Sequence, residues 1–189
     1  MSMFEKAKTY VGVYGDNDIR TKLQEDHKIF KELTKDACEG STAASRVAAF
    51  KKLKPLLVAH ARAEEAVVYT AMVKKRRSSP DSRDHGNEGF VEHSLVDSLI
   101  TQISASRPAG ADMWKARAKV LHELLKHHID EEEKDVFEEL GEHFDDEQRE
   151  QMAADFEERR GALLGKNRAP RPSLARSSSR ATTTRAALR

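Results

Sequence analysis

The sequence predicts an all-α protein: an up-down-up-down four-helix bundle with a flanking C-terminal helix and a disordered basic tail. Three observations lead there. Apolar residues recur at steps of three and four in four successive segments, the spacing of one helix face. Charged residues make up 34% of the chain and aromatics only 6%, while Ala, Leu, Lys and Glu are abundant, a balance that favours helix over strand. Short polar breaks separate the segments, so consecutive helices must run antiparallel.

An N-terminal extension, residues 1–17, carries a short apolar stretch (Tyr10, Val11, Val13, Tyr14) and leads into Gly15-Asp-Asn-Asp18, a helix-start signal. The first helix then places Ile19, Leu23, His27, Phe30 and Leu33 on one face and ends near Cys38-Glu-Gly40. Ser41-Thr42 can cap the second, whose stripe is Val47, Phe50, Leu53, Leu57, His60, Glu64, Val67 and Ala71. It fades at Lys74-Lys-Arg-Arg77, and Ser78-Ser-Pro-Asp-Ser82 has the chemistry of a loop. The third helix is expected over about Glu88 to Ser104, with Phe90, His93, Val96 or Asp97, Ile100 and Ile103 inward. Arg107-Pro-Ala-Gly110 breaks it. The fourth begins near Asp112 and runs through Val120, Leu121, Leu124, Leu125, His128, Glu132, Val136 and Leu140. Asp145 starts the flanking helix, which carries Met152, Phe156 and Leu163-Leu164 and completes a domain over 18–164.

The bulk properties exclude several classes. No apolar run approaches the roughly 20 residues of a membrane span, and Met1-Ser-Met-Phe-Glu-Lys6 lacks a signal-peptide core. One cysteine, Cys38, permits no internal disulfide, which fits a reducing cytoplasm. The net charge of +1 is unevenly spread. Residues 165–189 hold seven Lys or Arg and no Asp or Glu, which leaves −6 on the remainder. That tail has almost nothing apolar to bury, so disorder is expected. Its arginines among Ser and Thr could contact nucleic acid or an acidic partner, or serve as a solvated appendage.

The chemistry lies in two segments that share one pattern: His60-Ala-Arg-Ala-Glu64-Glu65 followed by Tyr69, and His128-Ile-Asp-Glu-Glu132-Glu133 followed by Phe137. Residues i and i+4 of a helix share a face, so each imidazole and carboxylate can converge on one point. His27 and His93 lie in the apolar stripes of the other two helices. A buried His or Glu needs a hydrogen-bond partner or a metal. Four inward histidines with two inward carboxylates make a dinuclear metal site, and imidazole with hard carboxylate oxygen suits iron, with manganese and zinc as alternatives. His127 also has a carboxylate four residues on, Glu131, but only His128 keeps the nine-residue step to an aromatic that His60 keeps to Tyr69. Tyr69 and Phe137 are expected in the core, with Tyr69 also able to hydrogen-bond near the metals. His85, His122 and His143 have no partner pattern and are expected at the surface or at helix ends. No His-Glu-x-x-His is present, and no Glu stands three residues before any of the eight histidines, which disfavours zinc proteases and the ferritin-like di-iron proteins.

These residues resemble the hemerythrin family in its HHE cation-binding branch, over about residues 18 to 143. The resemblance implies one iron held by His27 and His60 and a second by His93 and His128, with Glu64 and Glu132 bridging two ferrous or ferric ions that an oxo or hydroxo group also joins. Oxygen-carrying hemerythrins have His-x3-His in the third helix, whereas here Asp97 follows His93 by four. Asp97 either replaces the missing imidazole, hydrogen-bonds a ligand, or is a solvated helix residue. Reversible oxygen carriage is thereby put in question. Three functions follow as expectations: a di-iron protein that binds or senses dioxygen, nitric oxide or peroxide, or holds iron; a catalase-like or peroxide-reducing enzyme; and a metal-free interaction module.

Overall fold

Asp18 begins the first helix by accepting a hydrogen bond from the Arg20 backbone N–H at 2.9 Å. The computed structural model describes residues 14–75, 80–106 and 111–165, and among these there are helices and no strands. Helix α1 is Ile19–Glu39 and α2 is Ala43–Glu64. A capping box between Thr42 and Ser45 starts α2. Beyond it come a π-helical turn, Glu65–Tyr69, and α3, Thr70–Lys74. Helix α4 is Pro80–Ala105 and α5 is Asp112–Glu131, the latter continued by a second π turn, Glu132–Val136, and α6, Phe137–His143. Asp145 and Gln148 form the capping box of α7, Asp146–Leu163.

The bundle buries two apolar clusters with a polar layer between them. One contains Phe30, Phe50, Leu53, Leu57, Ile100, Trp114, Leu121 and Leu125. The other contains Ile19, Leu23, Tyr69, Met72, Phe137, Leu140 and Phe156. Along α1 the chain passes from the second cluster through His27 to the first, and along α2 from the first through His60 to the second. On α4 it reaches His93 from Gly89, beside Tyr69 of the second cluster, and leaves into Val96 and Ile100 of the first. From α5 it passes out of the first cluster through His128 and along the second π turn to Val136 of the second cluster. The direction alternates at each helix, which is the up-down-up-down order. Helix α7 packs across α1 and α2, and its Arg149 Nε is 2.9 Å from Asp18 Oδ2 at the start of α1.

Three expectations need correction. Helix α4 begins at Pro80, eight residues before the expected start, because proline suits the first helical position where its missing N–H is no loss. Pro80, Asp81 and Ser82 are therefore helical; Ser78 and Ser79 lie outside the described residues. Phe90 and Val120 face outward, 37% and 55% exposed, and Gly89, Ala118 and Leu121 take the inward positions. In the second helix the inward stripe after Glu64 runs through Val68 and Met72, one residue later than the expected Val67 and Ala71. The π turn is the reason: it accommodates one extra residue and shifts every later side chain around the axis. The expected tail and most of the N-terminal extension lie outside the described residues. Tyr14 is described, and its ring meets Phe137 edge-on at 5.8 Å.

Candidate metal centre

Six of the side chains singled out from the sequence meet in the polar layer: His27, His60, Glu64, His93, His128 and Glu132, all buried. They fall into two sets of convergent ligand atoms, one of His27, His60 and Glu132, the other of Glu64, His93 and His128. The rings of His27 and His60 lie 5.3 Å apart and those of His93 and His128 5.0 Å. Each carboxylate stands between the two sets. Glu64 Oε2 is 3.3 Å from His60 Nε2 and 3.5 Å from His93 Nε2. Glu132 Oε2 is 3.3 Å from His27 Nε2 and 3.6 Å from His128 Nε2. Both oxygens of Glu64, Oε2 of Glu132 and Nε2 of His27 are buried with no hydrogen-bond partner. Buried polar atoms left unpaired cost several kcal/mol each, roughly, and a shared cation would satisfy them. The donor set fits metal cations, with two imidazoles and one carboxylate in each set.

The outer face of every histidine is held by a carboxylate from the neighbouring helix. His60 Nδ1 is 3.0 Å from Asp26 of α1, and His93 Nδ1 is 3.2 Å from Glu65 beyond α2. His128 Nδ1 is 2.6 Å from Glu92 of α4, and His27 Nδ1 is 3.0 Å from Glu133 beyond α5. The four pairs form a closed ring around the bundle. An ionised carboxylate only accepts, so each Nδ1 must carry the hydrogen, and each Nε2 then presents its lone pair inward. Arg160 of α7 pairs with Asp26, Arg62 with Glu65, and Lys31 Nζ lies 3.5 Å from Glu133.

Electrostatics follow from this packing. Burial lowers the His93 pKa to about 4, which keeps its ring neutral. Burial pulls His27 and His128 the same way, but the carboxylates around them prevail and raise both. Burial, reinforced by the charge of Glu132 beside it, pushes the Glu64 carboxyl well above its usual range. Glu132 goes the other way against burial, held down by the adjoining Glu64 carboxyl and His27 ring. The two carboxylates lie against each other in the layer and titrate as a pair.

Tyr69 closes one end of the layer. Its hydroxyl donates to Glu132 Oε1 at 3.3 Å, and burial with the surrounding carboxylates raises its pKa well above 10, so it stays a donor. The ring lies on a glycine face of α4: a Cβ at Gly89 would come 2.4 Å from Tyr69 Cζ. Phe137, at the equivalent place in the other half, stacks at 6.4 Å on His27. Phe30 and Phe156 meet His60 edge-on at 5.0 and 5.4 Å.

Asp97 lies outside the layer. Its carboxylate pairs with Arg62, the guanidinium that also holds Glu65, and Val96 takes the inward position after His93. Asp97 is therefore joined to His93 only through Arg62 and Glu65. His127 is on the surface, 3.2 Å from Glu131. His143 ends α6 and lies 3.3 Å from Glu139. His122 Nδ1 is 3.1 Å from Thr34 Oγ1, and His85 lines a cavity beside the centre. The four outer carboxylates are the functional residues that pattern reading missed as a set. Their signal was adjacency: Asp26 and Glu92 each precede a histidine, and Glu65 and Glu133 each follow an inward Glu.

Fold and site together define a helical-bundle protein whose His/Glu clusters are able to bind metal. The family model of the hemerythrin HHE cation binding domain matches residues 18–140, and the chain belongs to that family. No match was found among curated proteins or among solved structures.

Proposed function

We propose that this is a non-heme di-iron protein of the cytoplasm that binds or senses dioxygen, nitric oxide or peroxide, or holds iron. One observation carries the reading: two buried carboxylates, each with an Oε2 that has no hydrogen-bond partner, stand between two imidazoles that belong to different ligand sets. Neutral imidazole and hard oxygen, with no thiolate among the converging groups, support iron. Bound, the irons would supply redox and Lewis-acid chemistry toward a small oxygen- or nitrogen-containing ligand. The chain's own contribution is to orient four Nε2 atoms through the ring of carboxylates and to surround the layer with Phe30, Phe137, Phe156 and Tyr69. For a sensor, altered ligation would reach α7 through His60, Asp26 and Arg160, since both Asp26 contacts lie on that line.

A second reading, a catalase-like or peroxide-reducing enzyme, is favoured by Tyr69. Its phenol is hydrogen-bonded to Glu132 and lines a cavity of about 220 Å³ with His128 and His85, so a proton donor and space for a peroxide adjoin the layer. Metal analysis and absorption spectroscopy on protein from iron-replete cells test the first reading. Two irons per chain with near-ultraviolet charge-transfer bands are expected; zinc alone would overturn it. Catalytic turnover of peroxide by the iron-loaded protein, lost in Tyr69→Phe, would favour the enzyme.

A further inference from the structure

The four sides of the carboxylate ring are closed differently. On three of them a cation covers the outer carboxylate: Arg160 on Asp26, Arg62 on Glu65 and Lys31 on Glu133. On the fourth, between α4 and α5, no Lys or Arg pairs with Glu92 among the described residues. Instead Glu92, His127 and Glu131 bring one potential ligand atom each within 4.8 Å of one another at the surface. Glu92 and Glu131 also line the cavity of about 220 Å³, whose wall includes Tyr69, His128 and Glu132. Its carboxyl groups are Glu88, Glu92, Glu131, Glu132 and Asp135, and it has no Lys or Arg in its lining. Lys134 offsets part of this charge at Asp135, 2.6 Å away. Two polar atoms on these lining residues are buried without a partner: Oε2 of Glu132, a residue 2% exposed, and Nδ1 of His85.

We propose that the α4/α5 side is the loading path of the metal centre, with Glu92, His127 and Glu131 as a capture site for a divalent cation. A cleft of one charge with low-dielectric walls concentrates counter-ions and raises their capture rate. The trio offers one exposed imidazole, one exposed carboxylate and the part-buried Glu92, so it holds an ion loosely. The buried layer offers four imidazoles and two carboxylates, so the ion gains by moving inward to His128 and Glu132. The other three sides present a guanidinium or an ammonium, which repels an incoming cation. This inference rests on the reading of the buried layer as a metal centre.

The test is stopped-flow uptake of cobalt(II) alone by the full-length metal-free protein at low ionic strength, followed by the visible bands of the loaded site. The double variant Glu88→Gln/Glu131→Gln and the single variant His127→Ala are expected to load about tenfold more slowly than wild type, with the same final cobalt content. Added salt should slow the wild type and leave the double variant little changed. A control variant, Glu150→Gln/Glu157→Gln on the exposed face of α7, is expected to load at the wild-type rate. Path variants that load at the wild-type rate, or a control that slows equally, would overturn the path while leaving the centre intact. A reduced final content in the path variants would also overturn it, by placing these groups among the permanent ligands. A wild-type protein that takes up no cobalt would overturn the reading of the centre itself.

Discussion

At His128 the ring is buried, with Nδ1 2.6 Å from Glu92 and Nε2 turned toward Glu132; at His127 the ring is exposed and rests against Glu131. His128→Ala is accordingly expected to lose metal and to cost about 3–5 kcal/mol, because it leaves buried carboxylates without compensation. His127→Ala should change equilibrium metal content and melting temperature little, and iron content with thermal melts would expose a reversal of the two. Asp97 gives the opposite kind of expectation. It shares Arg62 with Glu65 at a part-exposed site, so Asp97→Ala should shift stability by no more than about 0.5 kcal/mol and leave the spectrum of the loaded protein unchanged. Glu65→Ala removes the group that fixes the His93 tautomer and should weaken metal affinity by roughly 10–100-fold. Equal affinities for these two variants in a competition titration would contradict this assignment of roles.

Each His-x3-Glu helix carries a π turn at its inward carboxylate, starting just after Glu64 in one and at Glu132 in the other. At about 100° per residue, nine residues of unbroken α-helix turn through half a circle, so Tyr69 and Phe137 would face away from His60 and His128. The extra residue held in each π turn brings both rings back inside, where each is 1% exposed. The Tyr69 ring then needs room on α4, which Gly89 provides, while Gly86 admits the Tyr69 backbone and Met72. Gly89→Ala would favour the helix locally by about 1 kcal/mol. The added methyl, however, meets the buried Tyr69 ring, and net destabilisation of about 1–3 kcal/mol is expected. Denaturant unfolding, with near-ultraviolet circular dichroism to follow the Tyr69 environment, checks it; a stabilised variant would show that the ring can give way. The helices and the inward His and Glu were legible because three- and four-residue steps dominate a straight helix. The π turns were not, since the same steps assume a constant pitch and so assigned Val67 and Ala71 to the core in place of Val68 and Met72. The early start of α4 was hidden by Ser, Pro, Asp and Gly, residues that read as a loop until Tyr69 gives the glycines a packing role. The ring partners were hidden because Asp26 and Glu92 each bond the histidine of another helix, not the one beside them in sequence.

The four bundle helices form two similar halves, α1 with α2 and α4 with α5, each supplying one acid-histidine pair, one His-x3-Glu-Glu segment, one π turn and one buried aromatic nine residues after its second histidine. Closing the halves on each other places Glu64 beside Glu132 and drives the Glu64 pKa up, so the pair keeps a proton when no cation is bound. His27 and His128 are likewise raised and bind protons more readily than free imidazole. A metal must displace these protons. Uptake should therefore acidify a weakly buffered solution, and affinity should fall as pH is lowered toward and below the raised values; proton release by indicator dye measures the first and chelator competition across pH the second. Affinity that stays constant over about pH 5 to 8 would contradict the proton-bearing state of the centre. The ring has one more consequence, for biosynthesis. His27 is the first histidine of the layer to leave the ribosome, and the carboxylate that orients it, Glu133, comes 106 residues later. No partial chain can present the complete oriented set. On the proposed reading, full metal acquisition waits for a polypeptide whose synthesis has passed Glu133, just beyond α5.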